Sequence, residues 1–170
     1  MGSGFTALAP IIKAKIMENN YSSEQPQRVE KIRNGYRLNY KIREASEEEL
    51  LDLWQSSGRS EEGDVPTEDF KRENKYVYHS ISVPMGQWSY GGVVNAIIRD
   101  KYRVDEMESI TNNMAAVNAL FMQTLVTEGI VGAIQYLRDS YDKDNAEIFK
   151  EMQEWRHMAK KEAKSIFVNE

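Results

Sequence analysis

Residues 107–137 of this chain read MESITNNMAAVNALFMQTLVTEGIVGAIQYL. The apolar side chains in this stretch are too numerous for the single stripe of an ordinary surface helix. Gly129 and Gly132 interrupt or bend the helical pattern, and Ile130, Val131 and Leu137 continue it. A helix that is apolar on most sides lies either at the centre of a fold or in an interface between chains. The stretch therefore predicts a helical C-terminal half that contacts other protein chains.

The regions on both sides of this stretch are also predicted to be helical. Residues 90–102 carry apolar side chains at helical spacing, and Asp105 is the expected N-cap of the long helix that follows. A last helix is expected over residues 145–167. Its apolar face recurs at intervals of three and four residues: Ile148, Met152, Trp155, Ala159, Ala163 and Ile166.

The N-terminal half mixes two periodicities. Helices are predicted over residues 8–19 and 26–33, the second ended by Gly35. From Tyr36 to Arg43 apolar and polar side chains alternate, which predicts a half-buried strand. Residues 76–83 predict a second strand. Because two strands are marginally stable alone, the two must pair with each other or with a partner, over helices.

Local capping signals mark the connections. Ser46, followed three residues later by Glu49, forms a capping box that opens a helix ending near Gly58. Residues 59–67 predict a loop, and Thr67 is placed to start another helical turn. The predicted fold class is α+β and mainly α. Its helical part is 86–170, and its mixed part, 1–85, carries a minor two-stranded β element; the two parts are expected to form one folded unit.

The residue types argue against catalysis. Of 170 residues, 41% are hydrophobic, 29% are charged and none is cysteine, which excludes disulfides, thiolate nucleophiles and cysteine-based zinc sites. The two histidines, His79 and His157, stand in no metal-binding spacing. A capped, solvated helix start accounts for the glutamates at 47–49 without an active site. We therefore predict no enzyme activity, no cofactor and no metal; an enzyme with a carboxylate site is the open alternative.

Charge is distributed unevenly along the chain. The net charge is −5, with +5 over residues 1–43, −8 over residues 44–73 and −2 over the remainder. This arrangement favours a charge match within or between chains over nucleic-acid binding. Neither a secretory signal nor an uninterrupted run of about 18 apolar residues is apparent. We therefore expect neither secretion nor membrane binding.

Two pieces of the C-terminal half resemble a known group of proteins. The first is WSYGGVVNAIIRDKY, residues 88–102, followed by VDEMESITNN, residues 104–113. The second is FKEMQEWRHMAK, residues 149–160, with Ala163 beyond it. Together they resemble small uncharacterised accessory proteins encoded in the structural-gene regions of bacteriophages and prophages. Those proteins are more compact, and the present chain differs from them by a long apolar insertion, residues 114–141.

The resemblance implies a bacteriophage virion or tail-associated structural or accessory protein that acts by protein–protein packing. The expected partners are further copies of the chain or phage structural proteins, and the location that the resemblance implies is a virion or the host cytoplasm. The alternative is a small cytosolic regulator or assembly chaperone that binds a client transiently. The candidate interaction residues combine the resembling positions with the apolar stretch: Trp88, Arg99, Tyr102, Leu120, Phe121, Leu125, Ile130, Ile134, Trp155 and Arg156.

Overall fold

The computed structural model describes residues 17–59, 65–139 and 142–168. The described residues form two compact units, 17–97 with 162–168, and 98–161. In the described part of the chain the elements are, in order, β1 Asn20–Ser22, β2 Val29–Ile32, β3 Gly35–Glu44, α1 Glu47–Ser56, α2 Glu68–Glu73, β4 Tyr76–Pro84, a 3₁₀ turn Met85–Gln87, α3 Tyr90–Lys101, α4 Val104–Asp139 and α5 Lys143–Phe167.

The first unit contains an antiparallel sheet with the order β1-β4-β3-β2. The two predicted strands are confirmed as β3 and β4, but the expected two-stranded element is wrong, because the sheet has four strands. The predicted helix over 26–33 is also wrong, since Val29–Ile32 forms β2. Gly35 does not end a helix but begins β3, where an added Cβ would lie 2.2 Å from the carbonyl oxygen of Val83. This close approach holds the β2–β3 hairpin against β4.

A β-bulge interrupts the expected alternation in β3. The register with β4 shifts between Tyr40 and Arg43, and Lys41 takes a positive φ of 53°. Asn39, expected on the polar face, is buried, and its amide donates to Gln27 O at 2.7 Å and Glu30 Oε1 at 3.0 Å. Burial of Asn39 is thus explained by the hydrogen bonds of its side chain, which connect β3 to Gln27, before β2, and to Glu30 in β2.

The capping prediction at α1 is confirmed. Ser46 Oγ accepts from the backbone N–H of Glu49, and Glu49 returns the bond to the backbone N–H of Ser46. Arg43, from the basic segment, bonds both Glu49 oxygens at 2.7 and 2.5 Å. This pairing is the main reason why the pKa of Glu49 falls from 4.5 to about 2. The helical turn at Thr67 is confirmed as α2, capped by the Thr67 hydroxyl.

The core of this unit joins α1, α2 and α3 to the sheet through buried side chains. Trp54 meets Phe70 edge-on, with ring centroids 4.9 Å apart. The remaining buried apolar residues are Leu38, Tyr40, Leu50, Val77, Val83, Val93, Val94, Ile97 and Ala163.

The second unit is helical, as predicted for the C-terminal half. Helix α4 begins at Val104, so the expectation that Asp105 is its N-cap is wrong, and Asp105 lies in the first turn. The helix start is instead bonded by Glu106, whose Oε2 accepts from the backbone N–H of Arg103 at 2.7 Å. The predicted last helix is confirmed as α5, beginning two residues earlier. The predicted helix over 8–19 lies outside the described residues except for 17–19, which are irregular, and the predicted loop lies outside them at 60–64.

Candidate interaction surface

Helix α4 folds back on itself at Gly129. This residue has φ 73° and ψ −168°, a conformation essentially restricted to glycine. The rings of Phe121 and Tyr136 lie on opposite sides of the break, with centroids 6.4 Å apart. In a straight helix, fifteen residues would separate the two positions by about 22 Å. The predicted interruption is therefore confirmed, and residues 117–139 form what we call the hairpin, with a long arm before Gly129 and a short arm after it.

Close contact between side chain and backbone supports the turn. At Gly132 an added Cβ would lie 2.3 Å from the Cβ of Glu128. Glycine at this position lets the first turn of the short arm approach the end of the long arm. The two glycines thus have different roles: Gly129 supplies the backbone conformation, and Gly132 supplies the space.

The outer surface of the hairpin is apolar and exposed. Val126 is 81% exposed, Val131 78%, Ile130 72% and Ile134 61%. Leu120, Met122 and Leu137 are exposed to a lesser degree. We call these seven side chains the apolar patch. Over residues 109–137, the only charged side chain is that of Glu128, beside the turn.

Two threonine hydroxyls on the long arm are satisfied within the helix. The hydroxyl of Thr124 donates to Leu120 O at 2.9 Å, and that of Thr127 donates to Gln123 O at 2.9 Å. Hydroxyls bonded in this way require no water or partner. Contact with another apolar surface would therefore leave neither hydroxyl unpaired.

Before the hairpin along the chain, buried amides join α4 to α5. Asn113 Nδ2 donates to Asn145 Oδ1 at 3.3 Å, and both residues are buried. Asn145 in turn donates from its backbone and side chain to the carboxylate of Asp142, at 3.0 and 2.6 Å. These bonds connect the part of α4 that precedes the hairpin to the start of α5.

The residues singled out by the resemblance fall into two places. Tyr102 and Trp155 are both buried in the helical unit, and the Lys101 ammonium lies over both rings, 5.2 and 4.9 Å from their centroids. Burial raises the pKa of Tyr102, whose hydroxyl has no hydrogen-bond partner among the described residues. Tyr102 and Trp155 are thus core anchors. Arg99 and Arg156 are exposed on their helices.

Trp88 belongs to the sheet-containing unit. Its ring stacks on Tyr36 at 4.2 Å and also meets Phe167 at 5.6 Å. The structure therefore does not group Trp88 with the other candidate residues. Its half-buried ring covers the end of the sheet.

The apolar candidates do come together on the hairpin. Leu120, Ile130 and Ile134 belong to the patch, whereas Phe121 and Leu125 are half-buried. The sequence-based set omitted Met122, Val126 and Val131, which are among the most exposed apolar residues. Their apolar character was visible in the sequence, but which side of the helix faces outward depends on the fold-back at Gly129.

By length and composition, α4 is the one helix among the described residues that is apolar enough to cross a membrane, and 11% of its most apolar 18-residue window is buried. The break at Gly129 divides that length. From Val104 to the break, 25 residues extend about 38 Å, longer than a bilayer core, and from the break to Asp139 ten residues extend about 15 Å, half of its thickness.

Comparison of the chain with protein-family models, curated proteins and solved structures finds no match.

Proposed function

We propose that this chain is a structural or accessory protein that works by burying the hairpin against another protein chain. The observation that carries the proposal is the exposed apolar patch. Isolated exposed apolar residues are ordinary, but a group of seven on one short hairpin is typical of an interaction surface. A bacteriophage virion or tail is the setting that the resemblance of residues 88–113 and 149–163 implies.

Charge favours a protein partner over a membrane surface. Residues 103–139 contain five acidic and two basic side chains. Helices that lie on membranes carry lysine and arginine beside their apolar face, because anionic lipids attract them. The acidic surroundings of the hairpin oppose that attraction, whereas a protein groove can supply basic side chains at its rim.

The test is the location of the chain in the phage or prophage system that encodes it. Mass spectrometry of purified particles is expected to find the wild-type chain in fixed copy number. The variant Val131→Asp, which places a charge in the patch, is expected to be lost from the particles. Val65→Asp is the matched control, since Val65 is 71% exposed but lies outside the hairpin.

Two results would contradict the proposal. Equal incorporation of both variants would exclude the patch as the contact. A wild-type chain that is present in infected cells but absent from finished particles would instead favour the assembly chaperone or regulator.

A further inference from the structure

We infer that the hairpin pairs with the hairpin of a second copy of this chain, in antiparallel orientation about a two-fold axis. This inference rests on the proposed function and names its partner. In the pair, Glu128 of each copy lies against Arg138 of the other, and the short arms meet near Ile134.

The size of the patch suits a dimer. The exposed fractions of its seven side chains amount to about four fully exposed aliphatic side chains, or roughly 400 Å² of apolar surface at about 100 Å² each. A standard interface buries about 800 Å² per partner, somewhat more than half of it apolar. The four members on the short arm, with Val126 beside the turn, supply roughly 330 Å² of this, so pairing of the short arms provides most of the apolar area that a standard interface requires.

The positions of the charges select the antiparallel orientation. Glu128 lies beside the turn, and Arg138 is the next charged residue along the chain, at the far end of the short arm. Between them lies the apolar stripe that contains Ile130 and Ile134. A two-fold axis at the middle of this stripe brings each Glu128 opposite an Arg138. A parallel pairing would instead bring two glutamates together, which is unfavourable.

Both charged groups are available for such a pair. The side chain of Arg138 is 74% exposed and bonds its sequence neighbour Asp139 at 2.7 and 3.1 Å. A guanidinium has five donors, so these bonds leave donors for a second carboxylate. Glu128 is exposed at the turn.

The absence of cysteine makes the geometry directly testable. Residue 133 is midway between 128 and 138, so Ile134 lies close to the axis and Ile134→Cys is expected to form a disulfide-linked dimer rapidly on mild oxidation. Ile130→Cys is the matched control, because its residue is also exposed and on the same stripe. In the antiparallel pair the two residues at position 130, one from each chain, lie roughly 10 Å apart along the helix axis, which is beyond the reach of a disulfide. Rapid linkage of both variants would indicate a parallel pair and overturn the inference.

A charge exchange tests the proposed ion pairs independently. Sedimentation equilibrium is expected to give a dimer dissociation constant that rises roughly tenfold for Glu128→Arg and for Arg138→Glu, since each change makes two pairs repulsive. The double variant is expected to return to within about threefold of wild type. Additive weakening in the double variant would exclude the pairing, even if the chain is dimeric.

The same preparations separate this inference from the proposed function. Suppose that the wild-type chain stays monomeric at 100 µM, roughly a hundredfold above a micromolar dissociation constant, and that it enters particles whereas Val131→Asp does not. This result would overturn the dimer but leave the proposed function intact. Flotation of the wild type with phosphatidylcholine vesicles, lost in Val131→Asp and kept in Val65→Asp, would make a membrane the partner and overturn both. Circular dichroism of each variant verifies that the helices remain.

Discussion

Replacing Gly129 by alanine is expected to destabilise the hairpin relative to a straighter helix. At φ 73° and ψ −168°, a residue with a Cβ costs about 1–3 kcal/mol. Alanine also favours helical backbone by about 1 kcal/mol relative to glycine. Contacts between the arms, such as the Phe121–Tyr136 pair at about 0.5–1.5 kcal/mol, are the same before and after the substitution and do not reduce its effect. Together the two effects amount to about 2–4 kcal/mol, so the ratio of folded-back to straighter helix is expected to fall by a factor of about 30 to 1,000.

Spin labels at Asn118 and Asp139 provide the measurement. Both side chains are exposed and lie on opposite sides of the break. In the hairpin the labelled positions stand side by side, at about the 10 Å spacing of packed helices plus the label length. In a straight helix, 21 residues would separate them by about 30 Å. Dilution with unlabelled chain removes distances between molecules, so the change reports on one hairpin.

Gly91→Ala is the control for this experiment. Gly91 lies in the first turn of α3, and an added Cβ there meets nothing within 4 Å. The control is expected to leave the label distance unchanged and to preserve or slightly raise stability. A Gly129→Ala protein with the wild-type distance and the wild-type unfolding midpoint would refute the reasoning, because the arm contacts would then determine the turn without help from glycine.

Three further substitutions test the two units. Because the pKa of Glu49 is lowered to about 2, the stability that its carboxylate contributes is present above pH 4.5 and is lost as the pH falls towards 2. In urea unfolding, the decrease in stability from pH 6 to pH 3 should therefore be smaller by roughly 1–2 kcal/mol in Glu49→Gln than in the wild type. The control Glu48→Gln, at an exposed residue, should show the same decrease as the wild type. Trp54→Ala should lower the free energy of unfolding by about 3–5 kcal/mol, since the ring is fully buried, and a loss under 1 kcal/mol would contradict its place in the core. Asn113→Ala should cost about 1–3 kcal/mol, because the buried Asn145 carbonyl oxygen loses a donor, and an unchanged melting temperature would show that other groups replace this bond.

The sequence was most informative where structure depends on near neighbours. The capping box at Ser46 and Glu49 is complete within four residues, so α1 was predictable in place and in mechanism. The alternation from Tyr36 gave β3 in the same way. Strand β1 was missed because it is three residues long and pairs with Tyr78, 58 residues from Asn20, a partner that no local pattern reveals.

Two other features depend on tertiary context. Lys41 adopts a positive φ because the register of β3 with β4 shifts there, although lysine has no intrinsic preference for that conformation. At Gly129 the sequence indicated an interruption, but whether the helix bends or reverses depends on contacts such as Phe121 with Tyr136. The candidate surface was therefore predictable as a segment, and its exposed members were not.

The strand order affects whether copies of this chain can join edge to edge into a growing β-sheet. The long strands β3 and β4 occupy the middle of the sheet, and the edges are formed by β1 and β2, with three and four residues. An edge this short offers few unpaired backbone groups to an incoming strand, and the exposed Lys31 in β2 adds a charge that would be costly to bury. Strand addition is thus disfavoured along β1 and β2, which cover Tyr76–Tyr78 of β4 and Gly35–Leu38 of β3. In the proposed dimer, by contrast, the contact between helices ends once the two apolar patches cover each other.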